Sequence, residues 1–383
     1  MKNALSEKHL EDLVVAALAV GPMSCERPCT AFDPLTLLDA EELAAFVQAT
    51  QPKEWAKLSK QFPGNEEQTL AGQVTAVVQK RGTLEVLRGG VSFNGINVQL
   101  AFFKPSASGN PEHQAQYEGN RFAVMRQVHF STKAPDQSID VVLFLNGLPI
   151  VSIELKNHFT GQNVQHAIAQ YRKRDAREPF WKRCLVHFAV DDDAAYMTTH
   201  VCGPETAFLP FNRETQNPVI PERFASSYLW DDFTGEDGEH HTGSLRADSL
   251  LLLIQNYLHY ERDEKTGKEK FIFPRFHQFM AVRKLLAHAK AHGSGQNYLI
   301  QHSAGSGKSN SIAWLAHQLA NLCGQDGDRH WRKESQGRIA TEPAFYRSAS
   351  LSPQSQFRTG LSNFVCEVSP SNRSISPAAS ITR

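Results

Sequence analysis

The stretch SIDVVLFLNGLPIVSIELK, residues 138–156, is the part of the sequence that decides the fold. It holds two apolar runs, residues 139–145 and 150–155, joined across Asn146-Gly147. That dipeptide between apolar runs is a strong signal for a β-hairpin. We therefore expect two neighbouring strands joined as a hairpin.

Three charged residues interrupt these runs. Asp140 lies near the start of the first, and Glu154 and Lys156 end the second, two residues apart and so on one face. Carboxylate oxygens are hard ligands for Mg²⁺, which polarises a scissile phosphate and lowers the pKa of a bound water. Lys156 would orient that water or offset transition-state charge. The pattern predicts metal-dependent phosphodiester cleavage; the alternative is a surface ion pair between Glu154 and Lys156.

The register of the hairpin separates these two interpretations. A regular two-residue turn at Asn146-Gly147 would pair Asp140 with Ile153 and send Glu154 to the opposite face. A three-residue loop, or a β-bulge, would set Asp140 opposite Glu154. The nuclease hypothesis therefore requires one of these two irregularities.

The segments around the hairpin complete a compact α/β unit. A strand at 121–130 precedes it, and a helix at 163–174 and a strand at 184–190 follow it. Further toward the N-terminus, the patterns predict three helical regions and one strand, at 5–20, 34–61, 71–90 and 91–103.

Two further sets of charges flank the carboxylates. Basic residues at the end of the 163–174 helix could contact a DNA backbone or simply lie as cations near a helix C-terminus; they are Arg172, Lys173, Arg174 and Arg177. On the first helix, Glu11 is either a further acidic group of the site or a surface residue.

A second motif, HSAGSGKS at residues 302–309, follows a predicted strand at 298–301 and opens a predicted helix at 309–322. This is the context of a phosphate-binding loop. Gly305, Ser306 and Gly307 would wrap backbone amides around phosphates, Lys308 would reach the β and γ phosphates, and Ser309 would ligate Mg²⁺. Upstream, Gln278 could read adenine, which favours ATP. An acidic residue on a later strand, which phosphoryl transfer in this fold needs, is missing from the sequence.

Composition excludes several classes of protein. The 383 residues carry 40 basic and 40 acidic side chains, so charge alone does not supply nucleic-acid affinity. Six Cys are too few for a disulfide scaffold, and no set of Cys and His with zinc spacing is present. The longest apolar runs fall far short of a bilayer span. We expect a cytoplasmic protein with no membrane partner.

Together, the two motifs resemble the N-terminal part of the R (restriction) subunit of type I restriction enzymes. The likeness covers roughly residues 5–323, and the combination of both motifs is far more specific than either alone. The stretches that carry it are YEGNR at 117–121, SIDVVLFLNGLP at 138–149, IELKN at 153–157, TGQ at 160–162 and QHSAGSGKS at 301–309.

The resemblance implies an α/β fold with a restriction-endonuclease-like PD-(D/E)xK core, followed by a RecA-like superfamily 2 translocase domain. It implies double-stranded DNA cleavage coupled to ATP-driven translocation, in complex with methyltransferase and specificity subunits, with Mg²⁺ and ATP as cofactors. By position, Asp140, Glu154 and Glu11 would be metal ligands and Lys156 the catalytic lysine. Gln170 would match the Gln of an accessory Gln-x-x-x-Tyr motif, although Arg174 stands where that motif has Tyr.

We expect four segments along the chain. They are a nuclease domain at 1–215, a linker with an embedded helix at 216–268, the start of a translocase domain at 269–323, and a disordered tail at 324–383. The tail is rich in Ser and Arg, and its composition change suggests a shifted reading frame and an incomplete motor. The alternative function is a non-catalytic remnant that binds DNA or the methyltransferase.

Overall fold

A computed structural model describes most of the chain and resolves it into two compact units. The first unit comprises Met1–Arg213 and Asn217–Leu258, and the second comprises Glu214–Gln216 and His259–Arg383. The described residues are 7–105, 110–158, 161–213, 224–234, 240–262, 267, 269–293, 298–300, 305–325, 364–365 and 381–382.

A seven-stranded mixed sheet forms the first unit, in the order β1-β4-β5-β6-β7-β8-β9. The pairs β1–β4 and β6–β7 are parallel and the others antiparallel. A separate hairpin, β2–β3, lies outside this sheet. The strands are β1 Ser24–Glu26, β2 Val91–Phe93, β3 Ile96–Val98, β4 Phe122–His129, β5 Ser138–Leu145, β6 Leu148–Leu155, β7 Val186–Val190, β8 Ala195–Thr198 and β9 Leu209–Pro210.

Three helices of this unit, α2, α6 and α7, begin after a residue whose side chain caps a free backbone N–H group. Asp39 accepts a hydrogen bond from Glu42 N at the start of α2, and Asn163 and His166 form a capping box at the start of α7. The helices are α1 Glu7–Leu18, α2 Ala40–Thr50, α3 Pro52–Gln61, α4 Glu66–Arg81, α5 Thr83–Gly89, α6 Pro111–Glu118, α7 Val164–Lys173 and α8 Ala247–Asn256.

The central hairpin, β5–β6, turns at the predicted dipeptide. Asn146 and Gly147 both have positive φ, 52° and 83°, as a tight two-residue hairpin turn requires. A Cβ on Gly147 would lie 2.3 Å from the carbonyl oxygen of Asp39, so only glycine fits. The Asn146 side chain is buried and donates to Leu100 O and Asn120 Oδ1. The turn is therefore locked by contacts on both sides.

The register of this hairpin shifts between Leu143 and Phe144. Phe144 pairs with Pro149, whereas Leu143 pairs with Val151, so Ile150 is the extra residue of a β-bulge. The register then continues through Val142 with Ser152 and Val141 with Ile153, and its extension by one residue sets Asp140 opposite Glu154. Of the two irregularities that the nuclease hypothesis allowed, the bulge is the one that the protein uses.

A buried polar chain lies under the sheet and ties α7 to it. Ser152 Oγ lies 2.8 Å from the Tyr171 hydroxyl and 2.7 Å from His187 Nδ1, and His187 Nε2 lies 3.2 Å from Trp181 O. Aromatic rings surround this chain, with Tyr171 and Trp181 both in edge contact with His187. Packing and hydrogen bonds together fix α7 against β6 and β7.

Several sequence predictions need correction. The single strand expected at 91–103 is a short hairpin, β2–β3, because Asn94 and Gly95 take positive φ and turn the chain. The helix expected inside the segment 216–268 is Ala247–Asn256. Residues expected as a linker, 216–268, are divided between the units. The helix of that segment, α8, lies in the first, where Arg88 donates to Ile254 O and Tyr117 bonds Asp248.

In the second unit, a hairpin precedes a helix–strand–helix arrangement. The first unit also holds two short strands, β10 Phe233–Thr234 and β11 His240–His241. The elements of the second unit are β12 His259–Arg262, β13 Glu269–Ile272, α9 Phe276–His292, β14 Tyr298–Ile300 and α10 Lys308–Gln325. Two short strands, β15 Phe364–Val365 and β16 Ile381–Thr382, flank β14. Apart from these, residues 326–383 lie outside the described part, so the predicted disorder there stays a prediction.

None of the helices that the structure describes is both long and apolar enough to cross a membrane.

Candidate active site

Asp140 and Glu154 meet at the end of the β5–β6 pair. Asp140 Oδ2 accepts a hydrogen bond of 2.8 Å from the backbone N–H of Leu155, next to Glu154. Lys156 Nζ lies 4.0 Å from the same Asp140 oxygen and donates to Leu155 O at 2.7 Å. The structure thus brings together the two carboxylates and the lysine predicted from the sequence.

Glu154 is completely buried, and it carries the strongest electrostatic perturbation of the site. Burial, followed by the nearby charge of Asp140, raises the pKa of Glu154 well above its ordinary value, while Arg174 opposes that shift. Glu154 Oε1 accepts a 2.8 Å hydrogen bond from Arg174 Nη2. Among the described residues, the other oxygen, Oε2, is buried with no hydrogen-bond partner. A buried carboxylate oxygen without a partner is costly, so this atom indicates a ligand.

Arg174 fits neither of the two interpretations of the basic cluster, because its side chain is buried. Its guanidinium is only 8% exposed and donates to Ser138 O at 2.6 Å and Gln137 Oε1 at 3.1 Å as well as to Glu154. It also lies over the Phe130 ring. The side chain turns inward because a buried carboxylate needs a cation, which the helix pattern alone did not indicate.

The other members of the predicted basic cluster remain near the surface. Arg172 donates to Thr206 O, and Arg177 pairs with Asp175. Lys173 is exposed. Gln170 is half-buried, and within the described residues no hydrogen bond joins it to Asp140, Glu154 or Lys156. Of these two residues, Arg174 and not Gln170 contacts Glu154, which is a predicted metal ligand.

Glu11 does approach the site from α1. Its Oε2 accepts a hydrogen bond of 2.9 Å from Gln127 Nε2, and the same nitrogen lies 3.3 Å from Asp140 Oδ1. Burial and the charge of Asp140 both raise the pKa of Glu11. Gln127 thus links Glu11 to Asp140.

These residues fit a divalent cation such as Mg²⁺. Asp140 and Glu154 lie at the same end of the β5–β6 pair, and Gln127 links Glu11 to Asp140. Hard oxygen donors such as these are what Mg²⁺ prefers. The buried, unpartnered Glu154 Oε2 is the specific observation that supports the fit.

Sequence reasoning missed a second group of polar side chains, His158, Asp191 and Asp192, whose potential metal-ligand atoms lie within 4.8 Å of one another. His158 Nδ1 lies 2.5 Å from Asp192 Oδ1, and His158 Nε2 lies 3.6 Å from Asp191 Oδ2. Asp191 is buried and accepts hydrogen bonds from the backbone N–H groups of Val164, Asp193 and Ala194. Its oxygens are thereby used to hold the start of α7 on the end of β7.

The loop of the second motif is described from Gly305 onward, and residues 301–304 lie outside the described part. Gly305 and Gly307 have positive φ, 76° and 79°, and α10 begins at Lys308. Ser306 is buried. Gln278, expected to read adenine, is buried and holds the loop: its amide nitrogen donates to Gly307 O at 2.8 Å and its oxygen accepts from Arg275 N.

Comparison with known proteins gives one family. Residues 47–205 match the family model of the type I restriction enzyme R protein N terminus. This range contains Asp140, Glu154 and Lys156, while Glu11 and the loop at 305–309 lie outside it.

Two relatives illustrate the likeness. A Methanocaldococcus jannaschii protein named as the MjaVIIIP type I restriction enzyme endonuclease subunit is 29% identical over 210 residues, which cover 53% of this chain and 19% of that protein. The HindI type I restriction enzyme endonuclease subunit of Haemophilus influenzae is 25% identical over 207 residues, covering 52% and 19%. The chain thus matches about a fifth of the length of these relatives.

Proposed function

Because residues 47–205 match the family model of the type I restriction enzyme R protein N terminus, we propose that the first unit is a Mg²⁺-dependent endonuclease of the PD-(D/E)xK type. Its substrate is double-stranded DNA. Asp140, Glu154 and Glu11 are the metal ligands, and Lys156 is the catalytic lysine. The observation that carries this proposal is the β-bulge at Ile150, which sets Asp140 opposite the buried, half-unpartnered carboxylate of Glu154.

Each residue of the site has a distinct task. When bound, Mg²⁺ polarises the scissile phosphate and lowers the pKa of a bound water. The Leu155 N–H holds one oxygen of Asp140 in a fixed direction, and Arg174 takes one oxygen of Glu154, which leaves Oε2 for the cation. Lys156, with its ammonium 4.0 Å from Asp140, orients the attacking water or stabilises charge on the phosphate.

Cleavage by a lysine variant tests the proposal. Lys156→Met keeps most of the apolar stem of this buried side chain and removes the charge. With supercoiled plasmid and Mg²⁺, we expect the nicking rate to fall about 10²–10³-fold. Lys80→Met, an exposed residue on α4, is the matched control and should cut like the wild type.

The assay is run on the full chain, alone and with methyltransferase and specificity subunits, which we propose as its partners. If Lys156→Met cuts as fast as the wild type in both settings, the assigned chemistry is wrong. Complex formation without any cutting by the wild type would favour the alternative of a non-catalytic binding protein.

We also propose that the second unit binds ATP through the loop at 305–309 as the start of a RecA-like translocase domain. Left-handed glycines directly before the start of α10 allow backbone N–H groups to surround phosphates, and among the described residues the buried Ser306 Oγ has no hydrogen-bond partner. Equilibrium binding of ATP with Mg²⁺ to the full chain, compared with Lys308→Ala, tests this assignment.

A further inference from the structure

Gln127 has a backbone conformation that is unusual within a strand. It lies in β4 between Arg126, which pairs with Val141, and Val128, which pairs with Ile139. Its position is therefore opposite Asp140, yet its φ is 48°. Non-glycine residues seldom adopt this left-handed region, and where they do, the surrounding structure must enforce it.

The side chain of Gln127 shows what this conformation achieves. Ser138 Oγ donates to Gln127 Oε1 at 2.8 Å, and the NH₂ group faces two carboxylates, which act only as acceptors. The NH₂ group has two hydrogens, and its nitrogen lies 2.9 Å from Glu11 Oε2 and 3.3 Å from Asp140 Oδ1. One amide thus joins a carboxylate of α1 to a carboxylate of β5.

The link completes the restraint of the acidic group. Leu155 N already holds Asp140 Oδ2, so Gln127 fixes the remaining oxygen, Oδ1. Glu11 comes from a helix outside the sheet. Its positively charged neighbour, Arg126, lies farther away, with Nη1 3.8 Å from Glu11 Oε1. Without Gln127, the Glu11 side chain would lose its shortest contact with the sheet.

We propose that Gln127 is a positioning residue of the metal site, which joins Glu11 to Asp140 and sets the spacing of these two ligands. This inference rests on the proposed function, since it assigns Gln127 to the same acidic group. The left-handed backbone of Gln127 directs its amide toward the two carboxylates, so the strained conformation is what allows the side chain to position them.

Binding of Mn²⁺ alone to the full chain, measured by titration calorimetry, tests the proposal without any cleavage assay. Gln127→Met keeps the length of the side chain and removes the amide, and Gln127→Gly also removes the backbone strain. We expect both variants to bind Mn²⁺ about 10- to 100-fold more weakly, as observed when groups that orient metal ligands are removed.

Thermal unfolding separates this role from a purely structural one. Glycine suits the left-handed conformation, so Gln127→Gly should keep its melting temperature within about 2 °C of the wild type while losing metal affinity. Asn94→Gly is the matched control: Asn94 is exposed, has a φ of 47°, and lies in the β2–β3 turn. It should change neither the affinity nor the melting temperature appreciably.

The outcomes distinguish the two proposals. If the wild type binds Mn²⁺, Asp140→Asn abolishes this binding, and both Gln127 variants bind like the wild type, the positioning role is overturned and the proposed function stands. If the wild type binds no Mn²⁺, both are overturned. A loss of affinity in Gln127→Gly that is matched by an equal loss of folded protein would also overturn the positioning role.

Discussion

The buried His187, which contacts Ser152 on β6, allows a quantitative prediction of how stability depends on pH. It is completely buried, and burial lowers its pKa from an ordinary 6.5 to about 4. Its Nε2 faces the carbonyl of Trp181, so Nε2 carries the proton and Nδ1 accepts a hydrogen bond from the Ser152 hydroxyl. Ser152 in turn accepts from the Tyr171 hydroxyl. A second proton on the ring, at Nδ1, would break the hydrogen bond that Nδ1 accepts from Ser152.

The sign of the pH effect follows from this geometry. Between pH 6.5 and 4, the unfolded chain binds a proton at this histidine and the folded chain does not, so stability falls as the pH falls through that window. The gap between the two pKa values corresponds to a contribution of about 3 kcal/mol to the free energy of unfolding. About 2 kcal/mol of this contribution is lost by pH 5. Above pH 6.5 the contribution is complete.

Two measurements check this prediction. Histidine NMR should show that the His187 ring carries its proton on Nε2 and does not titrate above pH 5, with the resonance identified by its loss in His187→Gln. Urea unfolding followed by tryptophan fluorescence, at pH 7.5 and pH 5, should show a smaller pH-dependent loss in His187→Gln than in the wild type. A His187 pKa of 6 or higher, or equal losses in the two proteins, would refute the reasoning.

Two further predictions concern the hairpin and the buried ion pair. Gly147→Ala should destabilise the first unit by about 2 kcal/mol or more, because the new Cβ would lie 2.3 Å from Asp39 O at a φ of 83°. Gly64→Ala, at a φ of 79° with open space around it, should lower the free energy of unfolding in urea clearly less than Gly147→Ala does. Equal losses in the two variants would contradict the steric argument. Arg174→Met should cost about 3–5 kcal/mol because it removes the cation that faces the buried Glu154. Adding Glu154→Gln should recover part of that loss, whereas simple additivity of the two costs would exclude the coupling.

The sequence predicted the core of the first unit well because its signals are local. The strands β4, β5 and β6 and the helix α7 follow from apolar runs, the Asn146-Gly147 turn and amphipathic spacing, and they agree with the structure within a few residues. Short strands such as β1, β8 and β9 were missed, since two to four residues carry no usable periodicity.

The register could not be settled from local pattern alone, although one signal was available. Pro149 has no backbone N–H, and proline within a sheet is confined to edges, strand starts and bulges. Its presence next to Ile150 in a central strand therefore indicates the bulge that the structure contains. The inward orientation of Arg174 had no comparable signal, because it depends on Glu154, twenty residues away in the chain.

The candidate site is thus built from contacts that no short motif contains. A Glu-x-Lys pattern occurs by chance in many chains, but here each carboxylate is held by a donor from a different segment: Asp140 by the Leu155 N–H, Glu154 by Arg174, and Glu11 by Gln127. Because a one-residue slip of β6 would turn Glu154 to the other face, the bulge and these three donors must form together. Removing any one donor should therefore impair metal binding before it impairs folding, except at Arg174, where the buried charge couples the two.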